Sequence, residues 1–430
     1  MKRFLSAFML ITLAALLTAP LSVYAAEEPE PPEIDSKYAA VYIPHEDKVI
    51  YSKGAFDTVQ PASAAKMMTG ILAVLHYTDP DTPVTATKVA LDAVQQGSLV
   101  LDIKEGETHT ARELIYAVVT GGYADAALIL AFDAAGSARA FTDMMNEKAA
   151  ELGAEDTRFA NPTGDDAGSA KTTPRDIAKI AAYALELPLF MQAANAPSYT
   201  IPATDKSEKY TVYPRNMLRV PSNASYYLDY VSGINAGVTS KAGYCLVTSA
   251  EISGYTHIFV ITGGKTVGGK ISTYSDVKKL IKYSSSLGYS YKTVVDTFFV
   301  CAELPVTLAS GQSHVILVPS REVRVFLPAF VDPKTDMTYD VKLDVTSLEA
   351  PVEKGVVCGS ITFFFNGEPI VEEEIVTKEY IPKSSFEEIR SDAADFLGSK
   401  AFIIPTVCVL LVLILFFILR YIIIIKKKRR

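Results

Sequence analysis

Residues 61–70 read PASAAKMMTG, and the reading of this stretch decides the fold assigned to the rest of the chain. Ser63 and Lys66 stand three residues apart. Met67, Met68, Ile71, Leu72 and Leu75 recur with the rhythm of one helical face, predicting a helix over 63–77. Side chains three apart on a helix share a face about one turn apart. The Lys66 amine can then take the Ser63 hydroxyl proton, provided a neighbour keeps the lysine partly neutral. Alone the pattern is cheap. Ser275-Asp276-Val277-Lys278 matches it equally, and there a serine N-cap opening a surface helix explains the residues without chemistry.

The surroundings separate the two. Residues 27–36 read as a polar, proline-rich spacer, and AAVYIPHEDKVIYSKGA alternates as a β-hairpin turning at His45 to Lys48. Thr110 to Gly136 predicts a helix, a break at Gly121-Gly122 and a second apolar helix. Further helices are expected over Phe141 to Leu152 and over Thr173 to Leu185, the latter with a threonine cap and Pro174 at its first position. GYCLVTSA and THIFVITGG read as buried strands, and Ser275 to Leu287 as a helix. From Thr293 to Tyr380 the runs TVVDTFFV, HVILVP, VRVFLPA, YDVKLDV and GSITFFF, broken by Pro, Gly and Asp turns, predict a small all-β domain.

The segments VIYSKGAFDTVQPASAAKMMTGILAV, VLDIKEGETHTARELIYAVVTGG, MMNEKAAELGAEDTRFANPTG, KTTPRDIAKIAAYAL and AGYCLVTSA, in this order, resemble the D-alanyl-D-alanine carboxypeptidases. These are low-molecular-mass penicillin-binding proteins, and the likeness runs from Lys37 to Leu287. APVEKGVVCGSITFFFNGE resembles the C-terminal β domain of the same family, and SDVKKLIKYSSSLGY the helix closing its first domain, which makes Ser275 structural. The resemblance implies an α/β domain of the β-lactamase/transpeptidase type, an antiparallel sheet flanked by helices, in which three motifs, S-x-x-K, S-x-N and K-T-G, meet.

The first motif is intact as Ser63 and Lys66. The S-x-N positions carry Gly122 and Ala124, and the K-T-G positions carry Asn235, Ala236 and Gly237. In the family the K-T-G lysine and threonine bind the substrate's terminal carboxylate, and that lysine also depresses the base lysine. With Asn235 there, Lys66 is expected to lean toward ammonium. Charge-assisted hydrogen bonds are worth roughly 1.5–3 kcal/mol each, and loss of the clamp alone is expected to cost about 10- to 100-fold in transition-state binding. The family's oxyanion hole falls on the backbone N–H groups of Ser63 and Val238, which tolerate side-chain change. Lys241, on the same strand parity as Asn235, is roughly 20 Å along the strand and too far to replace the missing lysine. Lys265-Thr266 is followed by Val267 rather than glycine, and the resemblance implies a place for it on a loop beyond the next strand.

Both termini carry membrane signals. Lys2-Arg3, the apolar run Phe4 to Leu17 and Val23-Tyr24-Ala25 describe a signal peptide over residues 1–26. Residues 401–425 read as a transmembrane helix followed by a basic cytoplasmic tail, joined by a 381–400 stalk to the 293–380 β domain and the 37–290 carboxypeptidase-like domain. The expected location is a cell membrane crossed once, with the bulk of the chain outside the cytoplasm. Removing the eight basic residues outside the exported part from the 41 in the chain leaves 33 against 49 acidic ones, a net charge of −16. So acidic a body is not built to bind nucleic acid.

Cys301 and Cys358 are the pair open to bridging, and free buried thiols are the favoured reading. The five histidines are scattered, and HExxH and CxxC are absent. No metal or cofactor is expected. The expected partners are a peptidoglycan stem peptide or, weakly, a β-lactam, the membrane through the C-terminal helix, and an unidentified protein. Two functions remain open: a wall-binding member with reduced or lost turnover, and a working serine carboxypeptidase that forms an acyl-enzyme on Ser63.

Overall fold

A computed structural model describes residues 28–166 and 168–428. The expected signal peptide lies outside the described residues. The chain divides into two compact units, with the boundary between Tyr289 and Ser290.

The first unit is built on five antiparallel strands: β1 (Tyr38–Ile43), β2 (Lys48–Lys53), β3 (Val231–Thr239), β4 (Gly243–Ile252) and β5 (Tyr255–Gly264), in the order β2-β1-β5-β4-β3. Strand alternation assigns each residue to a face. Ile258 and Val260 of β5 join Met67, Met68, Phe141, Ile177 and Phe190 in one core, while Phe259 and Ile261 join Val277 and Leu280 in another. Both sheet faces are therefore covered by helices, and the inner strands read as near-continuous apolar runs. Besides a short turn of helix at Lys88–Asp92, the helices are α1 (Ala64–His76), α2 (Ala111–Tyr116), α3 (Ala124–Ala135), α4 (Ala138–Glu151), α5 (Pro174–Leu185), α6 (Pro188–Ala194) and α7 (Ser272–Leu287).

Helix α1 lies between the sheet-facing core and a second core built from Leu114, Ile115, Ile129 and Leu130. Met67, Met68 and Ile71 are fully buried, each burial contributing about 1.5–3 kcal/mol. Helix α2 opens with a capping box between Thr110 and Glu113, runs into a wider π-turn over Ala117–Gly121, and stops at Gly122, whose φ of 73° is left-handed. Thr173 caps α5 by accepting from the Asp176 N–H, as its sequence predicts.

The structure corrects several expectations. Helix α7 starts at Ser272, three residues before Ser275, because the short ribbon Thr266–Val267 with Lys270–Ile271 ends there. Ser275 is thus inside the first turn and not the cap. Residues 28–36 are a docked segment: the Asp35 and Ser36 N–H groups donate to the Asp276 carboxylate at 3.1 and 2.8 Å. Strand β3 ends at Thr239, so Lys241 sits in the β3–β4 turn rather than further along the strand.

The second unit has an all-β body with strands β6 (Ser290–Val295), β7 (Ala302–Thr307), β8 (His314–Pro319), β9 (Val323–Leu327), β10 (Met337–Leu343), β11 (Leu348–Glu349), β12 (Val357–Phe365) and β13 (Glu368–Thr377). Six form a sheet in the order β10-β12-β13-β8-β7-β11, and β6 pairs with β9. Phe298 to Val300 lie outside β6, contrary to the expected TVVDTFFV strand. Strand β13 has no clear sequence signature because Glu372, Glu373 and Glu374 interrupt its alternation; Glu373 is buried against Ser320 and Arg321. Helix α8 (Ser385–Gly398) precedes α9 (Lys400–Lys428). Within α9, Lys400–Ile425 is long and apolar enough to cross a membrane, with mean hydropathy 3.2. Cys245, Cys301, Cys358 and Cys408 are free thiols.

Candidate active site

Ser63 enters α1 through a strained turn. Ala62 has a φ of 46°, sparsely populated by residues with a Cβ. Its carbonyl is crowded by Gly164, where an added Cβ would lie 1.8 Å away. Ser63 occupies the helix N-cap, but its hydroxyl caps no backbone N–H. It is 8% exposed, and its Oγ has no hydrogen-bond partner among the described residues. A buried hydroxyl left unspent is costly as structure and useful as a nucleophile.

One turn on, the Lys66 Nζ donates to the Thr163 carbonyl. Burial holds this amine below the ordinary lysine value. The Asp165 carboxylate works against that lowering, and the Arg215 guanidinium adds to it. Desolvation and Arg215 both oppose the charged form, so the lost strand cation is not the sole influence on this amine.

The loop that follows α4 forms one side of the site. Thr163 donates to Asp165 at 2.6 Å, and the Ser98 hydroxyl donates to the same oxygen at 2.9 Å. The Gly164 N–H donates to Asn161 at 2.7 Å. Asp166 receives Thr239 and Ser240 hydroxyls at 3.0 and 2.7 Å, tying the loop to the end of β3. Although burial raises Asp166, those donors, together with the Lys241 backbone and charge, hold its carboxyl below the usual range.

Strand β3 forms the opposite side. Gly237 packs directly on the serine: a Cβ there would lie 2.6 Å from the Ser63 Cβ, so only glycine fits. Its neighbour Val238 is 54% exposed. A cavity of about 620 Å³ collects Ser63, Lys66, Gly122, Ala236, Gly237 and Val238. Of the positions singled out in the sequence, Ala124 and Asn235 do not line it. Ala124 opens α3 fully buried, its N–H on the Leu99 carbonyl at 2.7 Å. Asn235 follows a register shift in β3, is buried, and leaves its Oδ1 without a partner among the described residues. Lys265 and Thr266 do not line the cavity either.

Sequence reasoning missed the charged members of the cavity, Asp165, Asp166 and Arg215. The aspartates directly follow the quoted NPTG and were within reach of a closer reading. Arg215 had no local signal. Its backbone N–H donates to the Thr120 carbonyl at 3.0 Å and its carbonyl accepts the Tyr274 hydroxyl at 3.2 Å, two long-range contacts that bring it to the cavity. Asp125 is structural, its carboxylate held by the Leu101, Ile103 and Ala126 N–H groups while burial raises it.

This arrangement of an unspent serine, a desolvated lysine and a lone arginine suits acyl transfer from a substrate with a carboxylate. Residues 25–266 match the family model described as D-alanyl-D-alanine carboxypeptidase, and residues 303–383 match that of the penicillin-binding protein 5 C-terminal domain. The chain is 26% identical over 391 residues to the D-alanyl-D-alanine carboxypeptidase DacF of Bacillus subtilis, covering 90% of this chain and 96% of that one. It is also 26% identical over 390 residues to DacC of Escherichia coli, covering 86% and 90%. Among solved structures, the carboxypeptidase DacD of Francisella tularensis shares the fold with a TM-score of 0.65 at 21% identity, covering 83% and 96%.

Proposed function

The chain belongs to the D-alanyl-D-alanine carboxypeptidase family, which acts in peptidoglycan metabolism, and from that premise we propose a wall-facing member that binds stem peptides and turns them over slowly or not at all. Ser63 is the nucleophile, Lys66 its base, and the Ser63 and Val238 N–H groups its oxyanion donors. The observation that carries the reading is that Ser63 and Lys66 are not joined by a hydrogen bond, the lysine being spent on the Thr163 carbonyl. Gly122, Ala124, Asn235 and Ala236 supply neither the proton relay nor the strand cation expected of an intact site. A β-lactam or a peptide carboxylate meets Arg215 instead.

The apolar helix within Lys400–Ile425 supports membrane anchoring. We place the C-terminus in the cytoplasm, because the basic Lys426 to Arg430 cluster resists export. Extraction of the protein by carbonate would contradict a spanning helix.

The second reading, an active carboxypeptidase working through a Ser63 acyl-enzyme, draws on the lowered Lys66 and on Arg215. A fluorescent penicillin separates the two. Faint labelling and negligible D-alanine release are expected. Stoichiometric labelling abolished by Ser63→Ala, with release of D-alanine, would establish the active enzyme instead.

A further inference from the structure

A second cleft, of about 230 Å³, is lined by Lys37 and Lys241 with Gln60, Tyr38 and Thr262, and no carboxylate lines it. In a chain of formal net charge −8, two lysines on one small cleft are a local inversion of the field. Neither forms an ion pair among the described residues, although Asp57 lies near Lys37 and Asp166 near Lys241. The Lys37 Nζ lies 4.9 Å from the Tyr38 ring centroid, which fixes it beside the cleft. Thr262 is 2% exposed, and its hydroxyl has no partner among the described residues. A buried hydroxyl left unpaired is destabilising unless something supplies an acceptor.

We propose that this cleft is an oxyanion site, taking a carboxylate or phosphate between Lys37 and Lys241 with the Thr262 hydroxyl turned to donate to it. One wall, Thr58 to Gln60, leads directly into Ser63. The other, Lys241 and Ala242, continues from the Thr239 and Ser240 that line the candidate active site. A bound anion braces these two segments. The inference is independent of whether Ser63 acylates.

The test uses the full chain in detergent micelles, acetylated with limiting reagent and read by mass spectrometry, with millimolar inorganic phosphate or N-acetyl-D-alanine as probes. Lys37 and Lys241 are expected to react about fivefold more slowly with an oxyanion bound, while exposed Lys354 is unchanged. Protection by phosphate alone assigns the site to phosphate-bearing groups, and protection by N-acetyl-D-alanine alone to peptide carboxylates; either supports the site. The isosteric Thr262→Val is expected to lose the protection, and Arg215→Ala to keep it. Overturning results are no protection by either probe, protection undiminished in Thr262→Val, or its disappearance in Arg215→Ala, which would return the anion to the active-site cavity.

Discussion

The tetrads Ser63–Lys66 and Ser275–Lys278 carry the same S-x-x-K pattern within one folded unit. At the second, every group is spent. The Ser275 hydroxyl donates to the Ser272 carbonyl at 2.9 Å, and the Lys278 Nζ donates to the Ser225 carbonyl at 2.9 Å on the surface. At the first, the serine has no partner, a strained residue precedes it, a glycine is pressed against it, and the lysine is desolvated. The same pattern is ordinary helix packing at one place and, at the other, a hydroxyl left unused beside a desolvated amine that is held by the Thr163 carbonyl.

The comparison breaks most sharply on the serines. Ser63→Ala is expected to abolish whatever covalent penicillin labelling exists, and Ser275→Ala to leave it unchanged, both read by gel fluorescence. Equal loss in both variants would dissolve the distinction.

Next in size is Gly237→Ala, whose Cβ collides with the Ser63 side chain. Labelling should fall at least about tenfold, with a loss of about 1–3 kcal/mol in chemical denaturation from overpacking. Unchanged labelling would mean that β3 does not confine the nucleophile.

A third test concerns pH. Lys66 is lowered in the fold by burial, opposed by Asp165 and assisted by Arg215. Acylation should rise with pH at a midpoint below 10.5, moving up in Arg215→Ala and down in Asp165→Asn. The unfolded chain binds the extra proton between the folded value and 10.5, so the Lys66 contribution to stability grows with pH across that window and is complete above it. Lys66→Met should flatten that rise, as followed by thermal unfolding across alkaline pH. The smallest effect is structural: Ser275→Ala removes one local hydrogen bond and should cost about 0.5–1.5 kcal/mol.

Much of the fold was legible because its signals are local. Apolar periodicity marked α1, a threonine and proline marked the start of α5, and unbroken apolar runs marked β4 and β5. Strand β13 escaped because three consecutive glutamates hide its alternation, and the start of α7 differs because the ribbon of Thr266–Val267 with Lys270–Ile271 ends just before Ser272. Ser63, Lys66, Gly122, Ala236, Gly237 and Val238 were identified in advance and line one cavity. Ala124 and Asn235 were identified too, yet burial and a register shift keep them out of it.

The sequence by itself determined the family, the layered α/β unit, the β-rich second unit, the apolar C-terminal helix and the tetrad worth attention, since each follows from neighbouring residues. Only the tertiary structure decided which tetrad is buried, which cation faces it and in which direction the Lys66 amine is shifted. Those properties arise where segments far apart in the chain converge, and desolvation at such a meeting point leaves no trace in any one of them.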